Sequence, residues 1–157
     1  MQAPFQSLQS TRNRLVGTIN RNGVLLEQAS TIPPELLQWY MYGWLPRGKF
    51  VTLSGPPATA KTMLAMMIAA TMSSGGAWPD GTLSPIGKVA IWSGEDGVSD
   101  TIIPRLMAAG ANMDNILIVR TIREGGRARP FDPAKDLTAL REAVSKEGNV
   151  CLLIIDS

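Results

Sequence analysis

Apolar positions along the chain fall into short unbroken runs that alternate with helical patterns. "KFVTLS" (49 to 54), "KVAIWSG" (88 to 94), "NILIVR" (115 to 120) and "NVCLLIIDS" (149 to 157) are rich in aliphatic and β-branched residues, and each reads as a strand. The last is expected to be wholly buried. Between these runs, "TMLAMMIAATMSS" is strongly helix-forming. "VSDTIIPRLMAAGA" offers Ser99 or Asp100 as an N-cap, Pro104 in the first turn and Gly110 as a stop. "PAKDLTALREAVSKEG" puts Leu137, Leu140 and Val144 on one helical face, with Gly148 as terminator. "GGAWPDGTLSPIG" is dense in turn residues, and "REGGRARPFDP" (123 to 133) reads as a Gly- and Arg-rich loop. Strands that are unbroken apolar runs, alternating with helices, predict an α/β fold with a mostly parallel sheet covered by helices on both faces.

Composition supports one packed unit: the chain has 157 residues, 45% hydrophobic and 18% charged. A net charge of +2 with no histidine excludes His-based metal sites and His general bases, leaving carboxylates, Lys and Arg for chemistry. Cys151, the single cysteine, lies inside "VCLLII" and reads as a buried thiol suited to a reducing cytoplasm. The N-terminus lacks a signal-peptide pattern, and no apolar run approaches the ~18 residues of a membrane span, so a cytoplasmic chain without a membrane partner is expected. Residues 1–31 read as a polar lead-in or linker and 32–157 as the domain. Trp39, Tyr40, Tyr42 and Trp44 could stack on adenine or on bases, with packing of the start of this domain onto the sheet as the favoured expectation, and Met63, Met66, Met67 and Met72 are expected to form helix core.

"GPPATAKT", comprising Gly55, Pro56, Pro57, Ala58, Thr59, Ala60, Lys61 and Thr62, matches seven of the eight places of a phosphate-binding loop. Its position between a strand and a long helix is where such a loop belongs. Consecutive backbone N–H groups and the positive end of the following helix would converge on the phosphates of ATP. Lys61 would neutralise the β- and γ-phosphates, and the Thr62 hydroxyl would be a Mg2+ ligand. Ala60 stands where the pattern has its second glycine, and a left-handed conformation there costs alanine about 1–2 kcal/mol.

"LLIIDS" is an apolar strand ending in an acid, a Walker B pattern in which Asp156 would support the Mg2+ through its water shell. In "IWSGED", Glu95 and Asp96 follow the second strand, and open α/β sheets bind ligands at the carboxyl ends of their strands. Glu95 is accordingly the candidate catalytic base for an attacking water, while Asp96 suits capping of the next helix. Arg120, Arg123, Arg127 and Arg129 make a basic loop able to meet phosphates or a neighbouring subunit's nucleotide, with a solvated loop as the plainer reading. Arg105 has Glu95 or Asp100 as a partner within reach of its spacing.

With these motifs in order, residues 32 to 157 resemble the RecA-like P-loop ATPases, and within them the RepA-like branch of plasmid and phage AAA-family proteins. "GWLPRGKFVTLSGPPATAKT", "GGAWPDG" and "GKVAIWSGEDGVSDTIIPRL" carry the likeness. The resemblance implies a RecA-like P-loop NTPase core with ATP and Mg2+ as cofactors and Glu95 as the catalytic base. It further implies a motor domain of a helicase-like or DNA replication and recombination protein, DNA as partner, and a ring-type homo-oligomer, commonly a hexamer. Two departures stand out: Ala60, and the position of Asp156 one residue before the end of the sequence. The family inserts a further strand beside Walker B, so a truncation after that strand is expected, with open strand edges and impaired hydrolysis. A nucleotide-dependent switch or loader with slow hydrolysis, and an inactive remnant, stay open as alternatives.

Overall fold

The computed structural model describes residues 26–157. The expected lead-in, residues 1–31, lies mostly outside the described residues. The chain divides into two units, Met1–Leu36 and Leu37–Ser157. In the first, Ala29–Thr31 forms a single 3-10 turn.

The second unit opens with an antiparallel hairpin of β1 (Trp39–Met41) and β2 (Leu45–Pro46). Tyr40, Met41 and Leu45 pack against the hydrophobic core. Tyr42 and Trp44 are exposed and Trp39 packs its ring against Tyr42, so of the four aromatics only Tyr40 packs as expected. After the phosphate-loop segment comes α1 (Lys61–Ser74), followed by β3 (Lys88–Ser93). A π-helical turn (Val98–Ile102) leads into α2 (Ile103–Ala108), and a 3-10 turn (Met113–Asn115) into β4 (Ile116–Ile118). β5 (Thr121–Glu124) and β6 (Arg127–Pro130) then form a second hairpin, before α3 (Pro133–Glu147) and β7 (Val150–Asp156).

β4, β3 and β7 form a three-stranded parallel sheet in that order, with β3 central. Val89 and Ile91 of β3 are fully buried against Met66 and Met72 of α1 and Ile102 and Leu106 ahead of and within α2. On the alternate positions Ala90 shares a cavity of about 340 Å³ with Leu140, Ala143 and Val144 of α3. Strand side chains alternate between faces, so α1 and α2 cover one face and α3 the other. The expected mixed α/β fold with a parallel, doubly covered sheet is present.

Five local expectations are corrected. "KFVTLS" is not a strand: among the described residues no strand pairs with it, and Phe50 is 92% exposed. An extended segment becomes a strand only when another backbone supplies its hydrogen bonds. Neither Ser99 nor Asp100 caps the second helix, because Gly97 precedes the π-turn and makes no side-chain cap. β7 is not wholly buried, since it lies at a sheet edge and Leu153 and Ile155 are partly exposed. On α3 Leu137 is exposed while Asp136 takes the inward place, because Asp136 binds the guanidinium of Arg129. Met63 and Met67 are also exposed, leaving Met66 and Met72 as the core methionines of α1.

Candidate nucleotide site

The phosphate-loop candidate runs from Gly55 to Thr62 and ends on α1, whose first residue is Lys61. Two of its alanines are left-handed, Ala58 at φ 62° and Ala60 at φ 59°. Ala60 occupies the N-cap place of α1 with ψ 28° and has no side chain able to cap it. Each such residue carries the steric cost of a Cβ crowding the next carbonyl. Thr59 braces the turn by donating its hydroxyl to the Pro56 carbonyl at 2.8 Å. Lys61 Nζ folds back over the loop and donates to the carbonyls of Gly55 at 3.1 Å and Pro56 at 3.0 Å.

Among the described residues, the backbone N–H groups of Ala58, Thr59, Ala60, Lys61 and Thr62 have no acceptor, while Leu64 already donates to Ala60. Five consecutive free donors at the positive end of a helix of fourteen residues make an anion cradle. The ammonium of Lys61 lies over the same turn and adds the one full charge.

Thr62 Oγ1 donates to Asp156 Oδ2 at 3.0 Å, joining the first turn of α1 to the last residue of β7. Both residues are half-buried. The two oxygens suit Mg2+, a hard cation that takes oxygen ligands and keeps several waters, so the residues present fit that ion.

Glu95 follows β3 on an exposed loop at the same edge. Ser93 stands opposite Asp156 in the parallel register, and the Gly94 N–H donates to the Asp156 carbonyl at 2.9 Å. Glu95 is thus two residues past the rung that holds Asp156. Its loop is held tightly. Ser93 Oγ accepts from Asp96 N–H at 3.0 Å, and Arg105 Nη1 donates to Asp96 Oδ2 at 2.7 Å. A Cβ on Gly94 would meet the Trp92 ring at 2.7 Å, and one on Gly97 would run into the Asp100 carboxylate. The partner of Arg105 is therefore Asp96, neither Glu95 nor Asp100.

Sequence reasoning missed the strain at Ala58 and the Ser93–Asp96–Arg105 chain. The Ser-x-x-Asp spacing was a usable signal for the first link, since a serine hydroxyl readily accepts from a backbone N–H a few residues on. Nothing in the spacing marks Arg105 as the second.

The geometry defines an α/β protein in which the N-terminus of α1 and the carboxyl ends of β3 and β7 converge on one edge of the sheet. A family model for the AAA domain matches residues 17–157, and the chain belongs to that family. No curated protein and no solved structure matches the chain. AAA domains generally bind ATP with Mg2+, so membership of the family supports a nucleotide-binding, ATPase-like function. Among the described residues no helix is long and apolar enough to cross a membrane.

Proposed function

We propose that the chain is the nucleotide-binding part of an ATP-hydrolysing motor domain of the RepA-like type, working on DNA in replication or recombination. The observation that carries the nucleotide reading is the Thr62–Asp156 hydrogen bond beside the free N–H groups of Ala58 to Thr62. In this reading the loop from Gly55 to Thr62 receives the triphosphate through its backbone, and Lys61 leaves the Gly55 and Pro56 carbonyls to meet the β- and γ-phosphates. Thr62 and Asp156 hold Mg2+, which when bound neutralises charge on the phosphate oxygens. Glu95 orients the attacking water and takes its proton, and the Asp96–Arg105 pair fixes the loop that presents it. Assembly into a ring and the cytoplasm as compartment belong to the same proposal.

Titration with a fluorescent ATP analogue in the presence of Mg2+ tests it. Saturable binding by the wild type is expected, weakened at least ~10-fold in Lys61→Ala, because a charge-assisted phosphate contact contributes about 1.5–3 kcal/mol. Equal binding by the two proteins would remove the phosphate-loop assignment.

A further inference from the structure

The segment read from sequence as a solvated Arg-rich loop is an ordered antiparallel ribbon. β5 and β6 pair Thr121 with Pro130, Ile122 with Arg129, Arg123 with Ala128 and Glu124 with Arg127, so Gly125 and Gly126 form a two-residue tip. Both tip glycines have positive φ, 56° and 81°, as the tightest hairpin turn requires. The ribbon follows directly on β4, at the carboxyl end of the parallel sheet.

Its base is anchored. Arg129 donates Nη1 and Nη2 to the two oxygens of Asp136 at 2.7 and 2.8 Å, and Asp136 is only 4% exposed. Asp136 also accepts from the Asp132 N–H at 2.8 Å, which ties the ribbon to the first turn of α3. Phe131 continues the ribbon into the core, donating its N–H to the Arg120 carbonyl and packing its ring 6.1 Å from that of Trp92.

The remaining arginines are treated differently. Arg120, Arg123 and Arg127 are exposed, and among the described residues none of them has an ion-pair partner. From Arg120 to Pro130 there are four arginines against one glutamate, a charge of +3 that exceeds the +2 of the whole chain, so the rest of the sequence is net −1. Residues 1–49 carry a net +3 as well, but among the described residues this ribbon is the densest run of arginines. By strand alternation Arg123, opposite Ala128, and Arg127, opposite Glu124, stand on opposite faces near the tip.

A flat acidic protein surface would meet only one of those faces, whereas a groove with anionic walls meets both. The major groove of duplex DNA is about 12 Å wide, admits a two-stranded ribbon and is walled by phosphates. Arginine's planar fork suits each of them. We propose that the β5–β6 ribbon enters the major groove of duplex DNA and contacts phosphates on both walls through Arg123 and Arg127, with Arg120 meeting the backbone at its base. This deepens the DNA part of the proposed function and rests on it, and it is independent of the nucleotide site.

Fluorescence anisotropy with a labelled 20-base-pair duplex of mixed sequence, in nucleotide-free buffer at several salt concentrations, tests the ribbon. Arg123→Ala/Arg127→Ala is compared with Arg141→Ala/Lys146→Ala, which removes the same charge from the exposed side of α3; circular dichroism melts show that both fold. The ribbon variant is expected to bind at least ~10-fold more weakly at 0.1 M salt, with the log–log salt slope shallower by about 2, one unit per lost phosphate contact. The α3 variant should stay within about twofold of wild type. Equal loss in both variants, or none in the ribbon variant while the wild type binds duplex, overturns the ribbon and leaves the DNA reading standing. Tighter binding of a single strand of the same length, or of a poly-glutamate peptide, overturns the groove assignment. A wild type that binds the ATP analogue but no DNA overturns both the ribbon and the DNA part of the function, and spares the nucleotide site.

Discussion

The hydroxyl of Thr62 and the carboxylate of Asp156 meet at 3.0 Å although 94 positions separate them in sequence. That bond closes the distance between the start of α1 and the end of β7. Because both groups are half-buried, removing either leaves the other short of a partner. A double-mutant cycle with Thr62→Val and Asp156→Asn, followed by urea unfolding without ligand, should give a coupling of about 1 kcal/mol. Additive effects would mean that the contact contributes nothing to the fold. The same two single variants should each lose the Mg2+ dependence of ATP-analogue binding.

Ala60 is held at φ 59° in the place where a phosphate loop has glycine. Ala60→Gly removes the crowded Cβ, at the expense of more freedom in the unfolded chain, and the steric term is the larger. The variant is expected to be more stable by about 1 kcal/mol in urea unfolding, with nucleotide binding equal or tighter. Ala58→Gly, at φ 62°, should behave in the same direction. Destabilisation by either change would show that the loop is not strained in solution.

Much of this architecture is legible in the sequence, and the exceptions share a cause. α1 follows from helix propensity, α3 from a helical periodicity closed by Gly148, and β3 and β7 from unbroken apolar runs. "KFVTLS" has the composition of a strand, but pairing is a property of two segments, and no described strand lies beside it. The Arg-rich segment is the converse case. Its Gly-Gly flanked by four-residue runs is a hairpin signal, and the charge of the arginines obscured it. Asp136 likewise breaks the helical pattern of α3, since its buried place makes sense only once Arg129 is brought to it. At the candidate site the motifs indicate which residues to examine. The links through Asp96 and Arg105 come only from three-dimensional packing.

Asp136 should make the stability of the ribbon depend on acid. The Arg129 guanidinium, helped by the Asp132 N–H, lowers the Asp136 carboxyl from an ordinary 3.8 to about 2. A folded-state value below the unfolded one means that its stabilisation is complete above about pH 4 and is lost as pH falls through 2. Thermal melts of wild type and Asp136→Asn should therefore differ by a constant margin from pH 5 to 7, with the wild type higher. The margin should shrink between pH 4 and 2. A difference that grows on acidification would contradict the ion pair.

Glu95 provides the sharpest separation between binding and chemistry. It follows the rung where Ser93 faces Asp156, on a loop fixed by the Asp96–Arg105 pair and by the bond from Asp96 N–H to Ser93 Oγ. Its own carboxylate is exposed, so Glu95→Gln removes an ionisable group without disturbing packing. If Glu95 takes the proton from the attacking water, the glutamine variant should bind the ATP analogue as the wild type does while phosphate release falls by ~10²–10⁴, the usual contribution of a general base. Arg105→Gln should give a smaller loss of the same kind, because it loosens the loop and leaves the carboxylate in place. Loss of binding in Glu95→Gln would assign the residue to the nucleotide pocket instead of the reaction. Unchanged phosphate release in that variant would sink the catalytic role, whatever the fate of binding.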